Sequence, residues 1–160
     1  MKLYLVQHSD AVPEETDPKR PLSNRGRVEV QRLAAFLADA GVQASIILHS
    51  GKARAEQTAE LLAAPVGAGK RPEKITGIVP LDSARGFAST VNAWTADTMV
   101  VGHQPFMGKL VSHLLTGDEA SMTVAFRPGS VVCLGREDGE SWQLAWMIRP
   151  DLMTDRGAEP

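Results

Sequence analysis

Three of the four histidines in this 160-residue chain stand just beyond short apolar runs. Leu3-Tyr4-Leu5-Val6 ends at Gln7-His8-Ser9, Ser45-Ile46-Ile47-Leu48 ends at His49-Ser50, and the run closing at Val101 ends at Gly102-His103-Gln104. Neutral imidazole offers a lone pair near pH 7, and Arg is a permanent cation with a planar fork of donors. Arg54, shortly after His49-Ser50, is a cation placed to join such a group. Any one of these histidines is as readily a buried structural or surface residue as a reacting one. Their shared place in the pattern is what suggests a common crevice, because ligands of open α/β sheets bind beyond the carboxyl ends of the strands.

The elements that would hold them follow from periodicity. Residues 3–6 read as a buried strand, and residues 12–22 as a loop rich in Pro and charge. After Ser23, a candidate N-cap, Val30, Leu33, Ala34 and Leu37 recur at helical spacing until Gly41. A second strand over 45–48 precedes a second helix from about Lys52 to Ala64, with Ser50 as its expected N-cap and Arg54 in its first turn. Residues 65–72 read as a Gly/Pro loop, Ile75–Val79 as a third strand with Asp82 beyond its end, and Thr98–Val101 as a fourth. A further helix starts near Pro105, carrying Leu110, Val111 and Leu114. Alternating strand and helix implies a parallel sheet. From Met122 to Ile148 the pattern changes to β-branched and polar alternation, with turn signals at Pro128-Gly129 and Asp138-Gly139, which predicts antiparallel or edge strands. The expected organisation is a single domain over 1–150 and a frayed tail over 151–160.

Composition narrows the function classes. Seventeen basic against nineteen acidic residues give a net charge of -2, so there is no global attraction to nucleic acid or to an anionic membrane, and any anion site must be local. A single cysteine, Cys133, excludes an internal disulfide and a thiol-rich zinc module and fits a reducing, cytoplasmic compartment. No secretory signal or membrane span is read. The histidines lack HExxH spacing, so no metal is expected, and no cofactor. Gly67-Ala68-Gly69-Lys70-Arg71 fails as a P-loop, since Arg71 stands where Ser or Thr is required. Trp94, Trp142 and Trp146 lack interleaved basic residues and read as packing groups.

Val6-Gln7-His8-Ser9, the string from Ser50 through Arg54-Ala55-Glu56-Gln57-Thr58, and Val101-Gly102-His103-Gln104-Pro105 resemble, in order and spacing, the signature segments of the histidine phosphatase superfamily. The short chain, Arg20-Pro21-Leu22-Ser23 followed by Gly26, and the Arg54–Thr58 string look like its small SixA-type phosphohistidine phosphatases. The resemblance covers about residues 1–115. It implies a phosphoglycerate mutase-like fold, a three-layer α/β/α sandwich with a mostly parallel sheet and, with the alternating segment, an antiparallel edge. It also implies that His8 is a transiently phosphorylated nucleophile and that Arg20, Arg54 and His103 bind phosphate. The partner would be a phosphohistidine-containing protein, such as a phosphotransfer domain, or a small phosphorylated metabolite.

The chain departs from the family where Arg precedes the nucleophile and Gly follows it, for here Gln7 and Ser9 stand there. Glutamine keeps one amide donor for phosphate but removes a full charge, and a charge-assisted hydrogen bond contributes roughly 1.5–3 kcal/mol. Asp82 is the best candidate leaving-group acid. A site with a weak acid favours phosphorus–nitrogen over phosphate-ester substrates, because imidazole leaves more readily than an alkoxide. The alternatives are a small-molecule phosphomonoesterase and a catalytically weak phosphate or phosphoprotein-binding module.

Overall fold

The computed structural model describes residues 1–153. Six strands form one sheet: β1 (Lys2–Gln7), β2 (Ile46–His49), β3 (Glu73–Lys74), β4 (Thr98–Gly102), β5 (Val131–Gly135) and β6 (Gln143–Ile148). Their order is β3-β2-β4-β1-β5-β6. The first four are parallel, and β5 runs antiparallel to both β1 and β6. Helices α1 (Asn24–Asp39), α2 (Ala53–Val66), α3 (Ala84–Asn92) and α4 (Phe106–Thr116) complete the layers.

Successive strand side chains point to opposite faces, and β1 uses this to serve two cores. Tyr4 and Val6 join Val30, Leu33 and Leu37 of α1 and Ala55, Ala59 and Leu62 of α2. Leu3 and Leu5 join Phe87 and Val91 of α3 and Phe106, Leu110 and Val111 of α4. Both faces of the sheet are thereby covered, which is why the parallel strands β1, β2 and β4 are nearly continuous apolar runs. The fold is the α/β sandwich with a mostly parallel sheet and an antiparallel edge that the sequence predicts.

Several local expectations need correction. Ile75–Val79 is not a strand: only Glu73 and Lys74 pair, with Leu48 and His49, and Gly77 turns the chain at φ 84°. Between Met122 and Ile148 the strands are confined to Val131–Gly135 and Gln143–Ile148, while Met122 lies exposed in a left-handed conformation before them. The second helix runs through Pro65 to Val66, and its N-cap is Lys52, which makes no side-chain capping bond. Pro105 is the N-cap of α4 rather than its first residue. Ser23 does cap α1, its hydroxyl accepting from Gly26 N at 3.0 Å. Pro150–Leu152 form one 3-10 turn and Met153 packs against the first core. The rest of the tail, 154–160, lies outside the described residues.

All three tryptophans pack against the body of the protein. Trp142 is buried and donates to Asn92 Oδ1 at 2.9 Å with Arg136 stacked over it, Trp94 meets Phe87 edge to face, and Trp146 meets Tyr4.

Candidate active site

Strand order brings the polar strand ends together. β1 and β4 are neighbours with Gln7 beside Gly102, and β2 pairs with the other side of β4. His8 and His103, ninety-five residues apart, therefore sit with ring centroids 4.9 Å apart. The His8 peptide is held from two directions. Its N–H donates to Gly102 O at 3.0 Å, and Gly129 N donates to the carbonyls of Gln7 and His8 at 3.1 and 3.2 Å. Gly129 has a φ of 80°, and a Cβ there would crowd Pro150 and Ser9, so this turn requires glycine.

The hydrogen bonds of His8 define its tautomer. Nδ1 lies 2.7 Å from the carbonyl oxygen of Ser9, an atom that only accepts, so Nδ1 carries the proton. Nε2 then has the lone pair, and Arg54 Nε donates to it at 3.1 Å. Burial, assisted by the charges of Arg54 and Arg20 and opposed by the Ser9 bond and Asp10, lowers the His8 pKa to about 4. At neutral pH the ring is uncharged and presents Nε2 beside a guanidinium. Arg54 itself is pushed below its ordinary value by burial and by Arg20, against the pull of Glu14.

His103 is 1% exposed. Its Nε2 lies 2.6 Å from Ser50 Oγ, and its Nδ1 is buried with no partner. Burial first, then His8, Arg54, Lys52 and Arg20, lower its pKa to about 3. Gln7, 8% exposed, has its Oε1 buried and unpartnered. Arg20 sits on the 12–22 loop in a left-handed conformation, with Nε donating to Val12 O at 3.3 Å. Its charge reaches His8, Arg54 and His103.

Asp82 is placed differently. Its Oδ2 accepts from Val79 N at 2.8 Å, and it lines a shallow hollow with Ile75, Gly77 and Phe87. Among the described residues no hydrogen bond or ion pair joins it to His8, Arg54 or His103. The carboxylates whose charge does reach the cluster are Asp10, on His8, and Glu14, on Arg54. His49 turns away, its Nδ1 accepting from Gly51 N at 3.1 Å beside a hollow lined by Glu56 and Glu60.

The structure also adds residues around the cluster that the sequence reading gave no role there. Ser9 is fully buried without positive φ, so serine is tolerated in place of the family's glycine. Its hydroxyl donates to Glu29 at 2.9 Å and its N–H to Thr58 Oγ1 at 3.4 Å. Thr58 in turn donates to Arg54 O at 2.7 Å, and Gln57 Oε1 accepts from Leu22 N at 2.8 Å, tying the Arg20 loop to α2. The signal for Thr58 lay in its spacing, one turn beyond Arg54 on the same helix face.

A mostly parallel sheet that presents two neutral histidines at its strand ends, with Arg54 on α2 and Arg20 on a loop beside them, defines an α/β protein suited to phosphoryl groups. The model of the histidine phosphatase superfamily (branch 1) matches residues 3–76. Phosphohistidine phosphatase SixA of Escherichia coli K12 is 30% identical over 156 residues, covering 94% of each chain. An uncharacterized protein of Picosynechococcus sp. is 32% identical over 124 residues, 73% of this chain and 74% of that one. Among solved structures, the protein histidine phosphatase SixA complexed with tungstate superposes with a TM-score of 0.84 at 23% identity, over 96% of this chain and all of that one. The chain belongs to the histidine phosphatase superfamily, is SixA-like within it, and is a phosphatase.

Proposed function

We propose that this phosphatase acts on phosphohistidine carried by a protein, through a covalent phosphohistidine on His8, with turnover attenuated by Gln7. The observation that carries the reading is the state of His8, whose Nδ1–H is committed to Ser9 and whose Nε2 lone pair is presented beside Arg54. In the first step Nε2 attacks phosphorus, the phosphorus–nitrogen bond of the substrate breaks, and the departing imidazole keeps the electron pair and takes its proton from solvent. Arg54 and Arg20 stabilise the phosphoryl oxygens, and His103 contributes its free nitrogen. In the second step water attacks the phosphorus on His8, the Nε2–phosphorus bond breaks, and inorganic phosphate leaves.

Two further features favour this substrate class. Exchange of one phosphorus–nitrogen bond for another is nearly thermoneutral and asks little of an acid, which suits a site where the candidate acid Asp82 is engaged with Val79 N. The stretch between Asp82 and Thr98 forms α3, whose apolar residues pack into the second core, so it contributes cover to the sheet and supports a crevice open to a protein-borne side chain. The name of the Escherichia coli relative agrees with it.

The test mixes the protein with a phosphotransfer domain bearing labelled phosphohistidine, beside a phosphoserine peptide and a small phosphomonoester. The expected result is an acid-labile label on the parent and none on His8→Ala, a variant that should stay folded because His8 lies beyond the strand core. A His8→Ala protein that turns over phosphohistidine at the parent rate would remove His8 as nucleophile. Faster release from the ester than from the protein would move the reading to a small-molecule phosphomonoesterase, and binding without release to a phosphoprotein-binding module.

A further inference from the structure

Ser50 was expected to cap α2, yet its hydroxyl is engaged elsewhere. It is 6% exposed and lies 2.6 Å from His103 Nε2, fifty-three residues away in sequence. We infer that Ser50 is a positioning residue that selects the tautomer of His103, holding the proton on Nδ1 so that this nitrogen donates to a phosphoryl oxygen.

The argument is one of donors and acceptors. The backbone N–H of Lys52 donates into Ser50 Oγ at 3.4 Å, so that oxygen is already an acceptor. A hydroxyl has one proton to give, and among the described residues the acceptor bonded to Ser50 Oγ is His103 Nε2. If Ser50 donates, Nε2 is the lone-pair nitrogen and Nδ1 carries hydrogen. In the opposite arrangement Nε2–H would donate to the second lone pair of Ser50 Oγ, the serine proton would be left unpartnered in a buried place, and Nδ1 would turn a lone pair toward an anion. The last two consequences oppose that tautomer.

Nδ1 is the one side-chain nitrogen of His103 left for a ligand, and it is buried and unpartnered in a ring 4.9 Å from that of His8. A buried donor without a partner is a standing cost in the resting protein, which a phosphoryl oxygen removes on arrival. The depressed basicity of His103 is consistent with this role, since the ring stays neutral and the choice between nitrogens falls to Ser50. Second-layer partners of this kind fix imidazole orientation and tautomer in other histidine sites.

The consequence for catalysis rests on the proposed phosphohistidine reading, whereas the tautomer does not. The experiment is nitrogen-15 NMR of uniformly labelled protein at pH 7, with tungstate affinity by calorimetry and single-turnover phosphohistidine rates on the same samples. The parent spectrum should show His103 with a protonated Nδ1 and a lone-pair Nε2, and this readout requires no variant to fold. Ser50→Ala should populate both tautomers, weaken tungstate by about 10-fold and slow turnover by about 10- to 100-fold. Ser50→Thr, which keeps the hydroxyl, should recover most of each loss. A parent dominated by Nε2–H would overturn the inference, as would a Ser50→Ala protein with unchanged tautomer and unchanged tungstate affinity. If the tautomer and tungstate effects appear in a protein that releases no phosphate from phosphohistidine, the role of Ser50 stands and the phosphohistidine reading fails; robust turnover with Nε2–H in the parent gives the reverse.

Discussion

Gln7 occupies a buried position at the end of β1, and its carbonyl oxygen is buried without a partner. A buried acceptor without a donor costs about 1–3 kcal/mol, and an acceptor beside an incoming anion is repulsive unless the amide turns its nitrogen inward. Gln7→Arg should therefore tighten tungstate and raise single-turnover release from phosphohistidine by about 10-fold, given that 1.36 kcal/mol is a factor of ten. Robust parent turnover with no gain on substitution would refute attenuation by Gln7. Arg54→Ala should weaken tungstate binding and also raise the pKa of His8 from about 4, though burial, the largest cause, remains; an NMR titration of His8 reads this directly. An unmoved His8 titration would place the guanidinium outside the reacting pair. His8, Arg54 and His103 could be picked out in the sequence as candidates, because the two histidines follow apolar runs, a local signal, and the strings around all three carry the family resemblance. The bond from Ser50 to His103 was not, because it joins β2 to β4 across fifty-three residues and a serine before a helix reads first as a cap.

At the level of elements, the entry to α1 is as constrained as the site it supports. Ser23 caps the helix while donating to Asp10 Oδ2 at 2.5 Å, and Asp10 follows directly on His8-Ser9. Gly26 lets the first turn of α1 press against that segment: a Cβ on it would lie 2.1 Å from Asp10 O, a backbone atom that cannot swing aside as a side chain would. Gly26→Ala should thus destabilise the fold by about 1–3 kcal/mol through overpacking, despite alanine's better helix propensity. The midpoint of urea unfolding measures it, and an unchanged midpoint would contradict the close approach. This contact also explains why the glycine belongs with the Arg20-Pro21-Leu22-Ser23 string. Helices α1, α2 and α4 were readable from their apolar periodicity, but α3 is only nine residues long, from Ala84 to Asn92. Its buried positions, Ala84, Phe87, Ala88 and Val91, do follow helical spacing, yet Gly86, Thr90 and Asn92 dilute the pattern. The third strand was misplaced for a related reason. Ile75 and Ile78 are apolar, but Gly77 breaks the run, and what Glu73 and Lys74 contribute to the sheet is backbone pairing that hydrophobicity does not reveal.

Across the whole molecule, folding brings His8 and His103 into a site that keeps both neutral, with pKa values lowered to about 4 and about 3. In the unfolded chain both would titrate near 6.5. Between those values the unfolded state binds more protons than the native state, so the native state gains stability as pH rises, fully above about 6.5 and progressively less as pH falls toward 4 and then 3. The carboxylates contribute their own losses at the acid end, so the contribution of one histidine is isolated by comparison with a variant that lacks it. The parent should lose stability between pH 6.5 and 4 more steeply than His8→Ala, with the difference approaching one proton per molecule and vanishing above pH 7. Chemical denaturation at a series of pH values gives both slopes. Parallel slopes through that window would mean that His8 titrates near its ordinary value in the folded protein, and the neutral nucleophile would then depend on solution pH rather than on burial. The same shift sets the acid limit of turnover: formation of the phosphorylated enzyme should persist well below pH 6.5 and fail only as His8 takes a proton near pH 4, provided the fold has survived to that point.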